Sequence, residues 1–150
     1  MPDLIKAETL GLESLGGDGY LLKLSVPRED QALPLPGQFA MLRPTNASIQ
    51  VFLGRPLSYF DAIPMGNGYV EEHFYLKVVG QGTRALADLN IGAPVEYLGP
   101  FGGGFSVPDG RAWLGGGGVG IAPMHHLVAE SARRGVDRSR YRLFYGGRRK

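Results

Sequence analysis

Residues 98–120 read LGPFGGGFSVPDGRAWLGGGGVG, and this stretch decides the fold of the chain. It holds 10 of the 24 glycines in a chain of 150 residues. Glycine makes up about 16% of the whole chain, against roughly 7% in an average protein. The hydrophobic pattern changes from one side of the stretch to the other, so the stretch separates two kinds of structure, with a boundary around residues 107–111.

The part before the boundary alternates strand-like runs with glycine and proline turns. Six strands are predicted, at residues 4–10, 20–26, 38–42, 57–63, 69–79 and 94–98. Residues 83–89 are the exception and predict one short helix with Thr83 as its N-cap. Short strands of this kind fit an all-β, six-stranded antiparallel Greek-key barrel, so residues 1–106 are expected to form one domain.

The part after the boundary has a different periodicity. A short strand at 112–114, a helix at 123–134 and a strand at 141–145 make one βαβ unit. Parallel βαβ units ordinarily belong to larger sheets that are covered on both faces. Residues 107–150 are therefore expected to be the incomplete start of an α/β domain, and the chain is expected to be a piece of a longer protein.

Composition excludes several classes of protein. With 43% hydrophobic and 20% charged residues, the chain is not typical of intrinsic disorder. The absence of cysteine excludes a disulfide framework, a thiol nucleophile and a thiolate-bound iron–sulfur cluster within these residues. No apolar run is long enough to span a bilayer, and the first residues are charged, so a cytoplasmic location is expected.

The basic character of the chain belongs to its last residues. Residues 1–132 hold 8 Lys and Arg against 13 Asp and Glu, whereas residues 133–150 hold 8 against 1. Arg133, Arg134, Arg138, Arg140 and Arg142 surround the end of the predicted helix and the strand after it, and cations at a helix C-terminus stabilise its dipole. A solvated face is favoured, and neither a nucleic-acid nor a membrane partner is expected.

The three histidines do not predict a metal site. His125 and His126 are adjacent, so on a helix they point about 100° apart and cannot chelate one metal. His73 stands alone in a predicted strand. No catalytic side chain and no metal ligand is predicted.

The glycine run supplies G-x-G-x-x-G as Gly115, Gly117 and Gly120, between a predicted strand and a predicted helix. Such glycines let the backbone approach a pyrophosphate at the N-terminus of the helix. The dinucleotide fingerprint also has an acidic residue about 20 positions further on, but residues 145–149 are Tyr-Gly-Gly-Arg-Arg. A tight turn without a ligand remains the alternative.

Two further motifs favour phosphate binding. Gly80-Gln81-Gly82-Thr83 opens the short helix, where backbone N–H groups and a hydroxyl can meet an anion, although an ordinary capped turn explains it equally well. Arg55-Pro56-Leu57-Ser58-Tyr59 combines an arginine for phosphate, a hydroxyl for a ring atom and a tyrosine that can stack on a flat cofactor. An edge strand with a surface arginine is the alternative.

In their order and spacing these motifs resemble the ferredoxin reductase-like flavoproteins, and among them the electron-transfer subunits of dihydroorotate dehydrogenases. The resemblance covers nearly all 150 residues. It rests on PGQF at 36–39, RPLS at 55–58, YLK at 75–77 leading to GT at 82–83, LGPFGGGF at 98–105 and GGGGVGIAP at 115–123. It implies a barrel that binds FAD, followed by a domain for NAD(P).

The resemblance also implies which residues touch the cofactors. For FAD they are Arg55, Pro56, Leu57, Ser58, Tyr75, Leu76, Lys77, Gly82 and Thr83, with Tyr59 added as a stacking residue; for NAD(P) they are Gly116, Gly117, Gly118, Val119 and Gly120. Lys77 stands where the family often has arginine, so the positive charge is kept and the bidentate geometry is lost. Tyr59 stands where the closest relatives usually have an aliphatic residue.

The implied function is electron transfer between a partner redox protein and NAD(P) through FAD, as in pyrimidine biosynthesis. The dihydroorotate dehydrogenase subunits carry a C-terminal cysteine cluster that this chain does not contain. A stand-alone NAD(P)H-flavin reductase, or a reductase subunit of a hydrogenase or sulfite reductase, is the first alternative. A non-catalytic flavin-binding interaction module is the second. Arg148 and Arg149 leave the choice between NAD and NADP open.

Overall fold

A computed structural model describes residues 4–28, 30, 32–45 and 53–147, and its first part is a closed six-stranded barrel. The strands are β1 (Leu4–Gly16), β2 (Gly19–Pro27), β3 (Phe39–Pro44), β4 (Arg55–Gly66), β5 (Tyr69–Lys77) and β6 (Pro94–Phe101). All six contain the predicted strands in whole or in most of their length. The predicted all-β antiparallel barrel is therefore confirmed.

The strands follow one another around the barrel in the order β1-β2-β5-β4-β3-β6, and every pairing is antiparallel. β6 pairs with both β1 and β3, which closes the sheet. Closure leaves no free edge at which another strand could add. Because successive side chains of a strand point to opposite faces, every second side chain points into the barrel.

The inside of the barrel is an apolar core with a polar network in it. The fully buried apolar side chains include Leu22, Leu24, Val26, Leu42, Phe74 and Leu76. Arg28 donates from Nε to Glu72 Oε1 at 2.7 Å and from Nη2 to the Tyr97 hydroxyl at 2.7 Å. The Tyr97 hydroxyl is hydrogen-bonded in turn to the hydroxyl of Tyr59.

Glu72 is the most enclosed member of this network. Its side chain is fully buried, and its Oε2 has no hydrogen-bond partner among the described residues. Burial raises the pKa of Glu72, and the Arg28 guanidinium opposes that rise. A charged pair in this position is costly to break, because either partner alone would be an unpaired buried group.

Helix α1 (Gln81–Ala87) follows β5 and covers one end of the barrel with Leu86 and Ala87. It begins two residues earlier than predicted. Gly80 is the N-cap, and Thr83 is the third helical residue, so the prediction of Thr83 as N-cap was wrong. The Thr83 hydroxyl still closes the turn, because it accepts from Val79 N at 2.9 Å and from Gly80 N at 3.2 Å.

The second part of the chain, from Ala112 onward, is called the second unit here. It consists of β7 (Ala112–Gly117), α2 (Ile121–Arg133) and β8 (Tyr141–Gly146), with short 3-10 turns at Gly118–Gly120 and Arg138–Arg140. β7 and β8 pair in parallel, which confirms the predicted βαβ unit. No helix within the described ranges is both long and apolar enough to cross a membrane.

The core of the second unit is small. Leu114, Leu127 and Tyr141 pack between the sheet and α2. The Tyr141 hydroxyl donates to Ser131 Oγ at 2.7 Å, which fixes α2 against β8. The other face of the sheet is open, since Trp113 is 80% exposed and stands beside Phe144, with ring centroids 5.8 Å apart.

Candidate cofactor site

The first residue of β4, Arg55, lies against the start of α1. A Cβ added at Gly82 would overlap the Nε atom of Arg55, so the guanidinium occupies the space that any larger residue at position 82 would need. Among the described residues, Arg55 makes no ion pair and no hydrogen bond. An arginine held in place with an unsatisfied fork is suited to bind phosphate.

The next residues of β4 point alternately into and out of the barrel. Leu57 packs on the core and Tyr59 is fully buried, whereas Pro56 is exposed and Ser58 is half-buried. Ser58 is therefore the hydroxyl of this motif that lies on the outer surface of the barrel. The predicted stacking of Tyr59 on a flat cofactor does not fit its position.

Tyr59 belongs to the core instead. Its ring lies 5.1 Å from that of Phe74, and its hydroxyl bonds to Tyr97. Burial raises the pKa of the Tyr59 hydroxyl well above its usual range. The same alternation buries Leu76 completely, so of the YLK motif only Tyr75 and Lys77 reach the outside.

Tyr75 and Lys77 lie at the end of β5 that faces the β1–β2 turn. A Cβ at Gly19 would come within 3.1 Å of the Tyr75 hydroxyl, so the tyrosine lies over that glycine. Lys77 is exposed, with no ion pair among the described residues. Both unpaired cations of the predicted site, Arg55 and Lys77, thus belong to neighbouring strands of the barrel.

The glycine run forms the end of β7 and the turn into α2. β7 continues through Gly117, and the glycines after it turn the chain into α2, as predicted. A Cβ at Gly116 would lie 3.0 Å from Gly120 O, so the backbone packs too closely here for a side chain. Gly118 has φ +54°, a conformation that favours glycine. Pro123 falls in the first turn of α2, where its missing N–H is tolerated.

A cleft of about 500 Å³ separates the barrel from the second unit. Lys77 and Val79 form its barrel side, and Gly118, Gly146 and Gly147 form its other side. The carboxyl ends of β7 and β8 therefore open into it, which is the edge of a parallel sheet where ligands bind. The cleft brings together two motifs that are about 40 residues apart in sequence.

Comparison with known proteins gives three relevant similarities. No protein-family model matches the chain. The chain is 34% identical over 137 residues to the dihydroorotate dehydrogenase B (NAD(+)), electron transfer subunit, of Clostridium acetobutylicum, over 90% of this chain and 50% of that protein. A structure of the ferredoxin reductase in carbazole 1,9a-dioxygenase, in its FAD apo form, is 28% identical with a TM-score of 0.69, over 99% of this chain and 45% of that one. The structure of the NADH-dependent reduced ferredoxin-NADP oxidoreductase is 23% identical with a TM-score of 0.75, over 100% of this chain and 51% of that one.

The chain has the ferredoxin reductase-like fold. The resemblance to ferredoxin reductase-like proteins and to the dihydroorotate dehydrogenase electron-transfer subunits is thereby confirmed. This chain spans about half the length of the curated relatives it matches. Arg148 and Arg149 lie outside the described residues.

The ferredoxin reductase-like barrel also has contacts that the sequence motifs did not indicate. Phe60 and Asp61 follow Ser58 on β4 and touch α2, where the paired histidines lie. His73, which stands apart from the other histidines in the sequence, has a carboxylate partner in the structure. Its Nε2 lies 2.6 Å from Glu71 Oε1. No group of three or more metal-ligating side chains exists among the residues that the structure describes.

Proposed function

We propose that this chain is the FAD-binding part of an electron-transfer protein that exchanges electrons with NAD(P) on one side and a redox partner on the other. The observation that carries the proposal is the contact of Arg55 with Gly82. The glycine leaves room for an arginine that has no acidic partner within the described ranges, at the place where the motif predicts phosphate. A purely structural arginine would be expected to pair with a carboxylate, as Arg28 does inside the barrel.

Residues 1–106 would hold FAD and residues 107–150 would begin the NAD(P) domain. Arg55, Gly82 and Thr83 are suited to the diphosphate, Ser58 to a polar atom of the flavin ring, and Tyr75 to contact beside it. Pro56 would contribute surface, whereas Leu57, Tyr59 and Leu76 would support the site from the core. Bound flavin supplies the capacity to exchange electron pairs with a nicotinamide and single electrons with a protein partner.

The pyridine nucleotide would occupy the cleft between the two parts. The backbone of Gly116–Gly120, including Val119, would approach its diphosphate. Lys77, which the resemblance assigns to FAD, also lines this cleft and would offer a positive charge from the opposite side. The choice between NAD and NADP stays open. The absence of a cysteine means that these residues cannot themselves hold the thiolate-bound cluster named above.

The partner would be the catalytic subunit of a dihydroorotate dehydrogenase, in line with the name of the relatives at 34% identity. A reductase of another system is the second candidate, because the ferredoxin reductase in carbazole 1,9a-dioxygenase shares the fold over 99% of this chain. Sequence that encodes a cysteine cluster downstream of residue 150 would favour the first.

The test is Arg55→Ala, measured by titrating FAD into the purified chain and following the quenching of flavin fluorescence. Removing a charge-assisted hydrogen bond of about 1.5–3 kcal/mol should raise the dissociation constant roughly 10- to 100-fold. Arg134→Ala is the matched control, because Arg134 is the exposed C-cap residue of α2 and, in the part of the chain that the structure describes, its side chain pairs only with Glu130 of that helix.

Two results would count against the proposal. If the parent chain binds no FAD, the assignment of the barrel fails. If the parent binds FAD and Arg55→Ala binds it equally well, the barrel remains a flavin site but the role of Arg55 is lost.

A further inference from the structure

The contact between β4 and α2, called the seam here, joins the barrel to the second unit. It consists of Phe60 and Asp61 on β4 with His125, His126 and Arg133 on α2. Among the described residues, every side-chain hydrogen bond between the barrel strands and the second unit lies in this seam.

His125 makes the most specific contact of the seam. Its ring stacks on that of Phe60 with centroids 3.8 Å apart and planes 11° apart. Its Nδ1 lies 2.9 Å from the carbonyl oxygen of Phe60 and donates to it. One side chain therefore fixes both the distance and the orientation of α2 against β4, because stacking and a hydrogen bond constrain different directions.

The other end of α2 is held by charge. Arg133 forms an ion pair with Asp61 and a second one with Glu130 at 3.2 Å. His126 lies between His125 and Arg133 on α2. It is 1% exposed and lies edge-on to Tyr59, with ring centroids 6.3 Å apart. The irregular register of β4 between Tyr59 and Asp61 turns both Phe60 and Asp61 towards the helix.

The place of the seam connects it to the site. Phe60 is two residues after Ser58, so about 7 Å of strand separates them. His125 is four residues after the start of α2, about 6 Å along the helix. The Phe60–His125 stack is therefore the short rigid link between Ser58 on the barrel and the glycine turn on the second unit.

We propose that His125 is a positioning residue that sets the width of the cleft between the barrel and the glycine turn. The inference rests on the proposed function, because the cleft is where the nucleotide would meet the flavin. Reacting groups must be held within a fraction of an ångström, and a misplacement of about 1 Å can cost roughly 100-fold in rate. A small displacement at the seam would therefore lower the rate of reaction at the site, although no residue of the seam contacts either ligand.

The test measures the separation of the two units directly. The chain has no cysteine, so the double substitution Ile91→Cys and Arg142→Cys places two spin labels at unique exposed positions, one on each unit. The distance distribution between the labels is measured by pulsed electron spin resonance without any ligand. The labelled parent should give one narrow distribution, and the labelled His125→Ala variant should give a broader or shifted one.

Three variants distinguish positioning from general damage. His125→Phe keeps a ring for stacking and loses the hydrogen bond, whereas His125→Asn keeps a donor and loses the ring, so each should fall between the parent and His125→Ala. Arg134→Ala, at the C-cap of the same helix, should leave the distribution unchanged. Far-UV circular dichroism checks that every variant is folded.

The second readout is the rate of flavin reduction by NADH or NADPH in the FAD-loaded chain. His125→Ala should slow it about 10- to 100-fold, while the FAD dissociation constant stays within twofold of the parent. An unchanged distance distribution in His125→Ala, or a parent distribution that is already broad, overturns the proposal. A chain that binds no FAD removes the proposed function but leaves the distance measurement to decide the role of the seam.

Discussion

The barrel and the second unit obtain their order in different ways. In the barrel, six strands pair in a closed circle around fully buried side chains. In the second unit, two parallel strands pack on one helix, and Trp113 on the other face is 80% exposed. Parallel sheets are normally covered on both faces. The barrel is thus held by its own interior, and the second unit depends on α2, which is also the element that touches the barrel.

The largest expected loss of stability comes from breaking the buried ion pair inside the barrel. Arg28→Ala leaves the buried carboxyl of Glu72 without its partner, and breaking such a pair costs about 3–5 kcal/mol. Urea unfolding followed by far-UV circular dichroism measures the loss. Replacing both partners, with Arg28→Met and Glu72→Leu together, should recover most of it, because no charge then remains buried.

A matched control for this prediction is the partly exposed surface pair of Lys23 and Glu13, whose charged atoms are 3.7 Å apart. Lys23→Ala should cost at most about 1 kcal/mol, because water screens the pair. If Arg28→Ala costs no more than Lys23→Ala, the buried network does not stabilise the barrel.

A substitution in the core of the second unit should lower stability in that unit only. Leu127→Ala removes most of a side chain that is 3% exposed between α2 and the sheet, which should cost about 2–5 kcal/mol. Hydrogen exchange measured by mass spectrometry should show faster exchange across 112–147, with the barrel strands unchanged. An equal loss of protection in β2 and β5 would mean that the barrel and the second unit unfold together and are not ordered separately.

Most of the fold could be predicted from the sequence, because strands and turns have local signals. The alternation of apolar residues and the glycine and proline turns placed all eight strands, and the glycine run placed the start of α2 to within two residues. The predicted helix lies two residues further along the chain than α1, because the prediction places Thr83, a residue of the first turn, at the N-cap. Gly80 caps the helix and carries no side chain that would have indicated it.

The site could be predicted only in part. The contact of Arg55 with Gly82 matches the motifs, but Tyr59 and Leu76 point into the core, and strand alternation alone would have shown this. Leu76 is two residues after the core residue Phe74, and Tyr59 is two after Leu57, which packs on the core. The seam could not be predicted, because Phe60 and His125 are 65 positions apart and no motif links them.

The smallest expected effect is the pH dependence that His126 gives to folding stability. It should appear at the seam. Burial lowers the pKa of His126 to about 4, and the side chain has a buried Nδ1 with no partner among the described residues. In the unfolded chain the pKa is about 6.5, so the unfolded state binds the proton first as the pH falls. Folding stability at the seam should therefore decrease from pH 6.5 to about 4, by on the order of 1 kcal/mol per pH unit.

The difference between the parent and His126→Leu isolates most of this contribution, because both proteins contain the same carboxyl groups and only Asp61 and Glu130 among them interact with His126. Urea unfolding at a series of pH values, with hydrogen exchange of α2 as the local probe, should show a smaller loss of stability at acid pH in the variant. The barrel strands should show the same pH dependence in the two proteins. Parallel pH profiles for α2 in the two proteins would mean that folding does not lower the pKa of His126, and the Phe60–His125 stack and the Asp61–Arg133 pair would then be the contacts of the seam left to test.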